Sequence, residues 1–194
     1  MPVDPDDVPE LTEVERARWA ALDSAARGLG ERAADGALET EDVKATLTQI
    51  GQIPVDVHKF TNALHVPEDA GEHEAALRRM LLRIPEGWGR WIRCQRGWYP
   101  LIIDVDAQLA AVCPEYELQQ VKQKYGTLRY YCDPCQEHWD DVYEAFEEIT
   151  EAAEQRSRVI CEFCGRPGAA AASNGWVRTL CDSCIDESGS RYSR

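Results

Sequence analysis

From Leu11 the apolar positions return at helix-like intervals: Leu11, Val14, Trp19, Leu22, Ala26 and Leu29, with Gly30 as the expected stop. The stretch "LETEDVKATLTQIGQIP" repeats the design, with Thr40 as N-cap, Val43, Leu47 and Ile50 on one face, and Gly51 and Pro54 ending it. "DVHKFTNALH" predicts a short third helix, and "GEHEAALRRMLLRIP" a fourth that Pro85 closes.

The pattern changes at "RIPEGWGRWIRCQRGWYPLI". Pro100 suits the first turn of a helix whose buried stripe is Leu101, Ile102, Val105, Leu109 and Val112, up to Pro114. "YELQQVKQKYGTLRYYC" favours extended structure, and Gly126 offers a turn, so the segment predicts a β-hairpin. "HWDDVYEAFEEITEAAEQRSRVI" predicts a long helix with Val142, Phe146, Ile149 and Ala153 as its apolar line, running into Cys161. No parallel β-α-β framework shows in the pattern. The fold class expected is therefore α+β: an N-terminal helical region, a central helix and β-hairpin, a long helix, and a C-terminal cysteine module. The expected divisions are a disordered acidic lead over 1–10, an acidic helical region over 11–85, an α+β core over 86–160, and a four-cysteine zinc module over 161–194.

Chemistry concentrates at the C-terminal end. "CEFC" and "CDSC" form C-x2-C, sixteen residues, C-x2-C through Cys161, Cys164, Cys181 and Cys184. Two such pairs can close an all-sulfur shell around Zn²⁺ at about 2.3 Å. Gly165 follows the second cysteine, where a tight knuckle needs positive φ. Asn174-Gly175 is a hairpin signal, and a helix-compatible segment opens at the second pair. Knuckle, hairpin and short helix is the order of a treble-clef module. An all-cysteine shell leaves no open position for water, so the expected cofactor is one structural zinc.

Cys132 and Cys135, with His138 at C-x2-C-x2-H and Cys94 or Cys113 as a fourth ligand, are a weaker set. They read as incidental thiols, a second zinc site or a dithiol redox centre. The segment Trp88, Arg90, Trp91, Arg93, Arg96 and Trp98 interleaves cations and aromatics as an interaction surface does, although such tryptophans are more often core or interface anchors. Lys122, Lys124 and Arg129 on the hairpin extend such a patch or form the polar side of a half-buried sheet.

Composition narrows the partners. The chain carries 35 acids against 21 Lys and Arg, a formal net charge of -14. That charge repels phosphate backbones over the whole molecule and leaves nucleic acid only a local basic face. No run approaches the roughly 18 to 20 apolar residues of a membrane span, and the acidic N-terminus is unlike a secretory signal, so a cytoplasmic protein without a membrane partner is expected. A reducing cytosol also favours metal ligation over a disulfide framework. The catalytic signatures of Walker loops, G-x-G-x-x-G, G-x-S-x-G and H-E-x-x-H do not occur.

"GWYPLI", "QVKQKYGTLRYY", "CEFCGRPG" and "GWVRTLCDSC", in this order, resemble a family of small uncharacterised proteins of bacteria, prophages and phages. The resemblance covers about residues 97–184 and implies that hairpin and cysteine module form one unit, with Cys161, Cys164, Cys181 and Cys184 as metal ligands. It implies no activity, and the first 85 residues and the Cys132/Cys135 pair depart from it. The function expected is a non-enzymatic, zinc-stabilised protein-binding module of phage or bacterial origin that docks on a host or phage protein. The alternatives are a nucleic-acid-binding zinc protein, an acidic DNA mimic blocking a nucleic-acid-binding enzyme, and a dithiol redox protein.

Overall fold

The computed structural model describes residues 4–34, 39–134, 139–173, 175–188, 192 and 193. The chain divides into two compact units, Pro9–Ala63 and Leu64–Arg194 together with the N-terminal residues to Val8. The architecture is mixed α+β, with seven α-helices and two small sheets among the described residues.

The first unit is helical: α1 (Glu13–Ala34), α2 (Thr40–Gln52) and α3 (Val57–Asn62). Gly30 does not stop α1, which continues to Ala34. A glycine costs a helix interior only about 1 kcal/mol, and Gly30 lacks the positive φ of a helix-terminating glycine. Thr40 is the first helical residue of α2 and not its cap. Glu39 occupies that position, and its N–H donates to the Asp42 carboxylate at 3.3 Å. The inward line of α2 is Val43, Thr46 and Ile50, leaving Leu47 exposed. Trp19 of α1 stacks on Phe60 of α3 at 3.7 Å. Lys59 donates to both carboxylate oxygens of Glu15, at 2.8 and 2.7 Å.

The second unit carries the main core. Helix α4 (Glu74–Leu81) buries Leu77, Met80 and Leu81. Next come β1 (Ile92–Arg93), α5 (Tyr99–Val112), β2 (Glu117–Lys124), β3 (Thr127–Asp133) and α6 (Trp139–Ser157). Strand order is β1-β2-β3, with β1 parallel and β3 antiparallel to β2. A minimal β-α-β crossover is therefore present after all. Its first strand has two residues, too few for any periodicity to reveal. The hairpin between β2 and β3 turns on Tyr125 (φ 53) and Gly126 (φ 81), and positive φ at both residues is the signature of the type I′ turn that suits strand twist.

One cluster unites Leu101, Ile102, Val105 and Leu109 of α5, Phe146 and Ala153 of α6, and Leu118, Val121, Leu128 and Tyr130 of the sheet. Val112 lies at the end of α5, partly exposed and outside that stripe. Under the sheet, Tyr116 Oη donates to Asp106 at 2.6 Å and meets Tyr130 Oη at 2.7 Å, while Arg83 pairs with Asp106 at 2.8 Å. Burial, first among several causes, pushes both phenols far above their ordinary range, so they act as structural hydrogen-bonding groups.

After α6 the chain forms β4 (Ala169–Ser173), β5 (Trp176–Leu180) and α7 (Asp182–Glu187). β4 and β5 pair antiparallel with Ala169 opposite Leu180.

Candidate metal centre

Four thiols converge at the end of the second unit. Cys161 and Cys164 lie on a tight turn after α6, Cys181 immediately precedes α7, and Cys184 lies within it. The turn closes through Gly165, whose N–H donates to Cys161 O at 2.9 Å and whose φ of +76 suits glycine. The Cys161 N–H donates to Arg166 O at 2.7 Å, and the Glu162 N–H to Thr179 O at 2.8 Å, which ties the turn to β5. All four sulfurs lie within 4.8 Å of one another, and among the described residues no other group of three or more metal-ligating side chains comes together.

The donor set fits a tetrahedral metal. Bonds of about 2.3 Å to four sulfurs imply sulfur–sulfur edges of about 3.8 Å, and Cys164 Sγ lies 3.6 Å from Cys181 Sγ. A disulfide would need about 2.05 Å. Cys161, Cys181 and Cys184 are buried, while Cys164 reaches the surface. Burial pushes the Cys161 thiol up, opposed by the N–H groups of Cys181, Cys164 and Phe163. Burial also raises Cys184, joined by the neighbouring sulfurs. For Cys164 burial acts in the same direction, but the Arg166 guanidinium, at 3.4 Å from Nε to Sγ, and the Arg166 N–H win and bring it to about 6. One sulfur is thus already disposed to the thiolate form that ligation requires.

The module is held to the core through backbone contacts that side-chain patterns do not announce. A Cβ on Gly97 would lie 2.3 Å from Cys161 O, 2.5 Å from Gly165 N and 2.6 Å from Glu162 O. The Gly97 N–H donates to Glu162 O at 2.9 Å, and the Trp98 indole N–H to Ile160 O at 2.8 Å. On the hairpin side, Thr179 Oγ1 donates to Gly126 O at 2.7 Å and Gln123 Nε2 to Val177 O at 2.5 Å. "GWYPLI", "QVKQKYGTLRYY", "CEFCGRPG" and "GWVRTLCDSC" therefore meet at one junction. Glu162 lies inside it, fully buried, with Oε2 accepting from Arg178 at 2.7 Å and Oε1 without a hydrogen-bond partner. Burial pushes its carboxyl up against the pull of Arg178.

The other expected site residues separate. Cys94 is buried just after β1, and burial, then the Glu162 and Asp69 charges, pushes its thiol far up. Cys132 lies on β3 opposite Leu118, and burial, then Asp133, pushes it up to about 12, the opposite of a reactive dithiol. Cys113 caps the C-terminal end of α5. Cys135 and His138 lie outside the described residues, as does Asn174. In the aromatic and basic segment, Trp98 is wholly buried and Arg90 nearly so, its Nε donating to Ile84 O at 2.9 Å. These two are core residues and no interaction surface, because Trp98 Nε1 and Arg90 Nε are satisfied by backbone carbonyls inside the unit. Trp88, Arg93 and Arg96 remain exposed, and Trp91 half-buried.

Among the described residues no helix is long and apolar enough to cross a membrane. Comparison with protein-family models, with curated proteins and with solved structures finds no match to the chain.

Proposed function

We propose that Cys161, Cys164, Cys181 and Cys184 hold one structural Zn²⁺ in a treble-clef-like module, and that the protein is a non-enzymatic binding module. The observation that carries the reading is the convergence of four thiols on a junction with the sheet. Bound there, zinc supplies folding free energy on the order of 10 kcal/mol to a segment whose own core is five buried residues. Four protein sulfurs leave no coordination position for substrate, which favours a scaffold over a catalyst. The motif resemblance supports a bacterial or phage origin. A host or phage protein docking on the Trp/Arg segment would need Trp98 and Arg90 at the surface. With Trp98 and Arg90 buried, the three-stranded sheet offers the better-formed surface.

Metal analysis of protein purified under reducing conditions tests the reading, with one zinc per chain expected. Cys181→Ser should lose the metal and the cooperative melting of the second unit. A native, cooperatively folding protein without stoichiometric metal would overturn it.

A further inference from the structure

Toward the hairpin end, the solvent-facing side of the three-stranded sheet contradicts the composition of the chain, while the pair Glu117 and Asp133 lies at the far end of the same face. Residues opposite one another across strands project from the same face. Arg93 stands opposite Lys122, and Lys122 opposite Arg129, so three cations cross the sheet in one row. Lys124 continues the line toward the hairpin turn. Strands lie about 4.8 Å apart, and like charges directly opposite destabilise a sheet. A chain with 35 acids and 21 Lys and Arg has carboxylates to spare for neutralising such a row. Yet only Arg129 finds one, Glu154 at 2.7 Å. Among the described residues no carboxylate forms a salt bridge with Arg93, Lys122 or Lys124.

Aromatic rings accompany these cations instead. Arg93 lies over Trp91 at 5.0 Å, Lys122 over Tyr131 at 5.0 Å and Lys124 over Tyr125 at 5.5 Å. Tyr125 is 72 % and Tyr131 40 % exposed. At the turn end of the row a pocket of about 320 Å³ opens between the hairpin, the end of α6 and the β4-β5 hairpin. Tyr125 lines it, and Glu154 there pairs with both Arg129 and Arg158, so the unneutralised cations on this face, among the described residues, are Arg93, Lys122 and Lys124 of the row itself.

We infer that this sheet face binds single-stranded nucleic acid, with Arg93, Lys122 and Lys124 on phosphates and the rings of Tyr125 and Tyr131 against bases. The inference rests on the binding-module reading and names its partner. Alternating cations and rings match a strand whose backbone is anionic and whose unpaired bases offer π-faces. An acidic polypeptide would use the cations and leave the rings idle. The net charge of -14 does not forbid contact, because acids beyond about 8 Å are screened at physiological salt while the row touches its ligand.

Fluorescence anisotropy of the full zinc-loaded chain with a short labelled oligothymidylate tests this. Three phosphate contacts on a single strand predict log K falling against log salt with a slope of about -2. Lys122→Gln combined with Lys124→Gln should cut the slope to about -0.7. Tyr125→Asn should weaken binding roughly tenfold; asparagine before Gly126 suits the type I′ turn, so that loss would not come from unfolding. Lys44→Gln, on α2, should leave binding unchanged. Absence of binding at low salt by folded, zinc-containing protein overturns the inference alone and leaves the metal reading standing. Equal affinity for polyglutamate with no effect of Tyr125→Asn also overturns it, in favour of an acidic protein partner. Oligonucleotide binding by a folded protein without zinc would sink the metal reading and keep this one.

Discussion

Three glycines show how much the meaning of a residue depends on what lies within 4 Å of it. Gly30 has nothing within that distance of an added Cβ and sits in helical backbone, so Gly30→Ala should stabilise the first unit by about 0.5–1 kcal/mol in urea denaturation. Gly97 has helix-compatible neighbours in sequence but faces backbone atoms of the cysteine turn, which cannot rotate away as a side chain would. Gly97→Ala should destabilise the second unit by about 1–3 kcal/mol, with lower metal retention in a competition assay with a chelator. Gly126 combines both demands, positive φ and Val177 Cγ1 at 3.0 Å from an added Cβ. The same logic applies to Arg178. Arg178→Met strands the buried Glu162 carboxylate and should cost about 3–5 kcal/mol in thermal or urea unfolding, with Glu162→Gln in the same chain restoring part of it. Spacing alone marks the four clustered cysteines in the sequence. It marks neither Gly97 nor Arg178, and it shows Gly126 only as a turn, because their supporting roles come from atoms that folding brings to them from other elements.

At the level of elements, periodicity located the helices well and their ends less well. The line of Val142, Phe146, Ile149 and Ala153 on α6 packs as its pattern predicts, since a helix period repeated over several turns leaves one face to bury. In α2 the inward position falls to Thr46 and Leu47 stays outside, because periodicity gives the spacing of the buried stripe while packing against α1 sets its phase. The link between α1 and α3 combines the Trp19–Phe60 stack with the Lys59–Glu15 ion pair. Hydrogen bonds from Lys59, then from Thr12, lower the Glu15 carboxyl to about 2. A carboxyl depressed in the folded state stabilises fully above its unfolded value, ordinarily about 4.3, and loses that contribution as pH falls through the folded one. Urea stability of the first unit should therefore decline between about pH 4.5 and 2, and Glu15→Gln should flatten that dependence.

For the whole molecule the proposed Zn²⁺ is the decisive variable. Cys161 and Cys184 are held above their ordinary thiol values by burial, so ligation must expel protons and zinc affinity should fall as the solution is acidified. Titration of zinc content against pH should show release on the acid side, and chelation at neutral pH should lower the melting temperature of the second unit and leave the helical signal of α1 to α3 in place. The α+β class, the four-cysteine set, the main helices and the hairpin are legible in the chain alone, because they depend on local spacing and on apolar periods within a few turns. That Trp98 and Arg90 are core, that a two-residue strand pairs parallel to β2, and that Arg93, Lys122 and Arg129 share one row emerges only with the fold. Parallel pairing and cross-strand register join residues far apart in sequence, and no local pattern carries the distance between them.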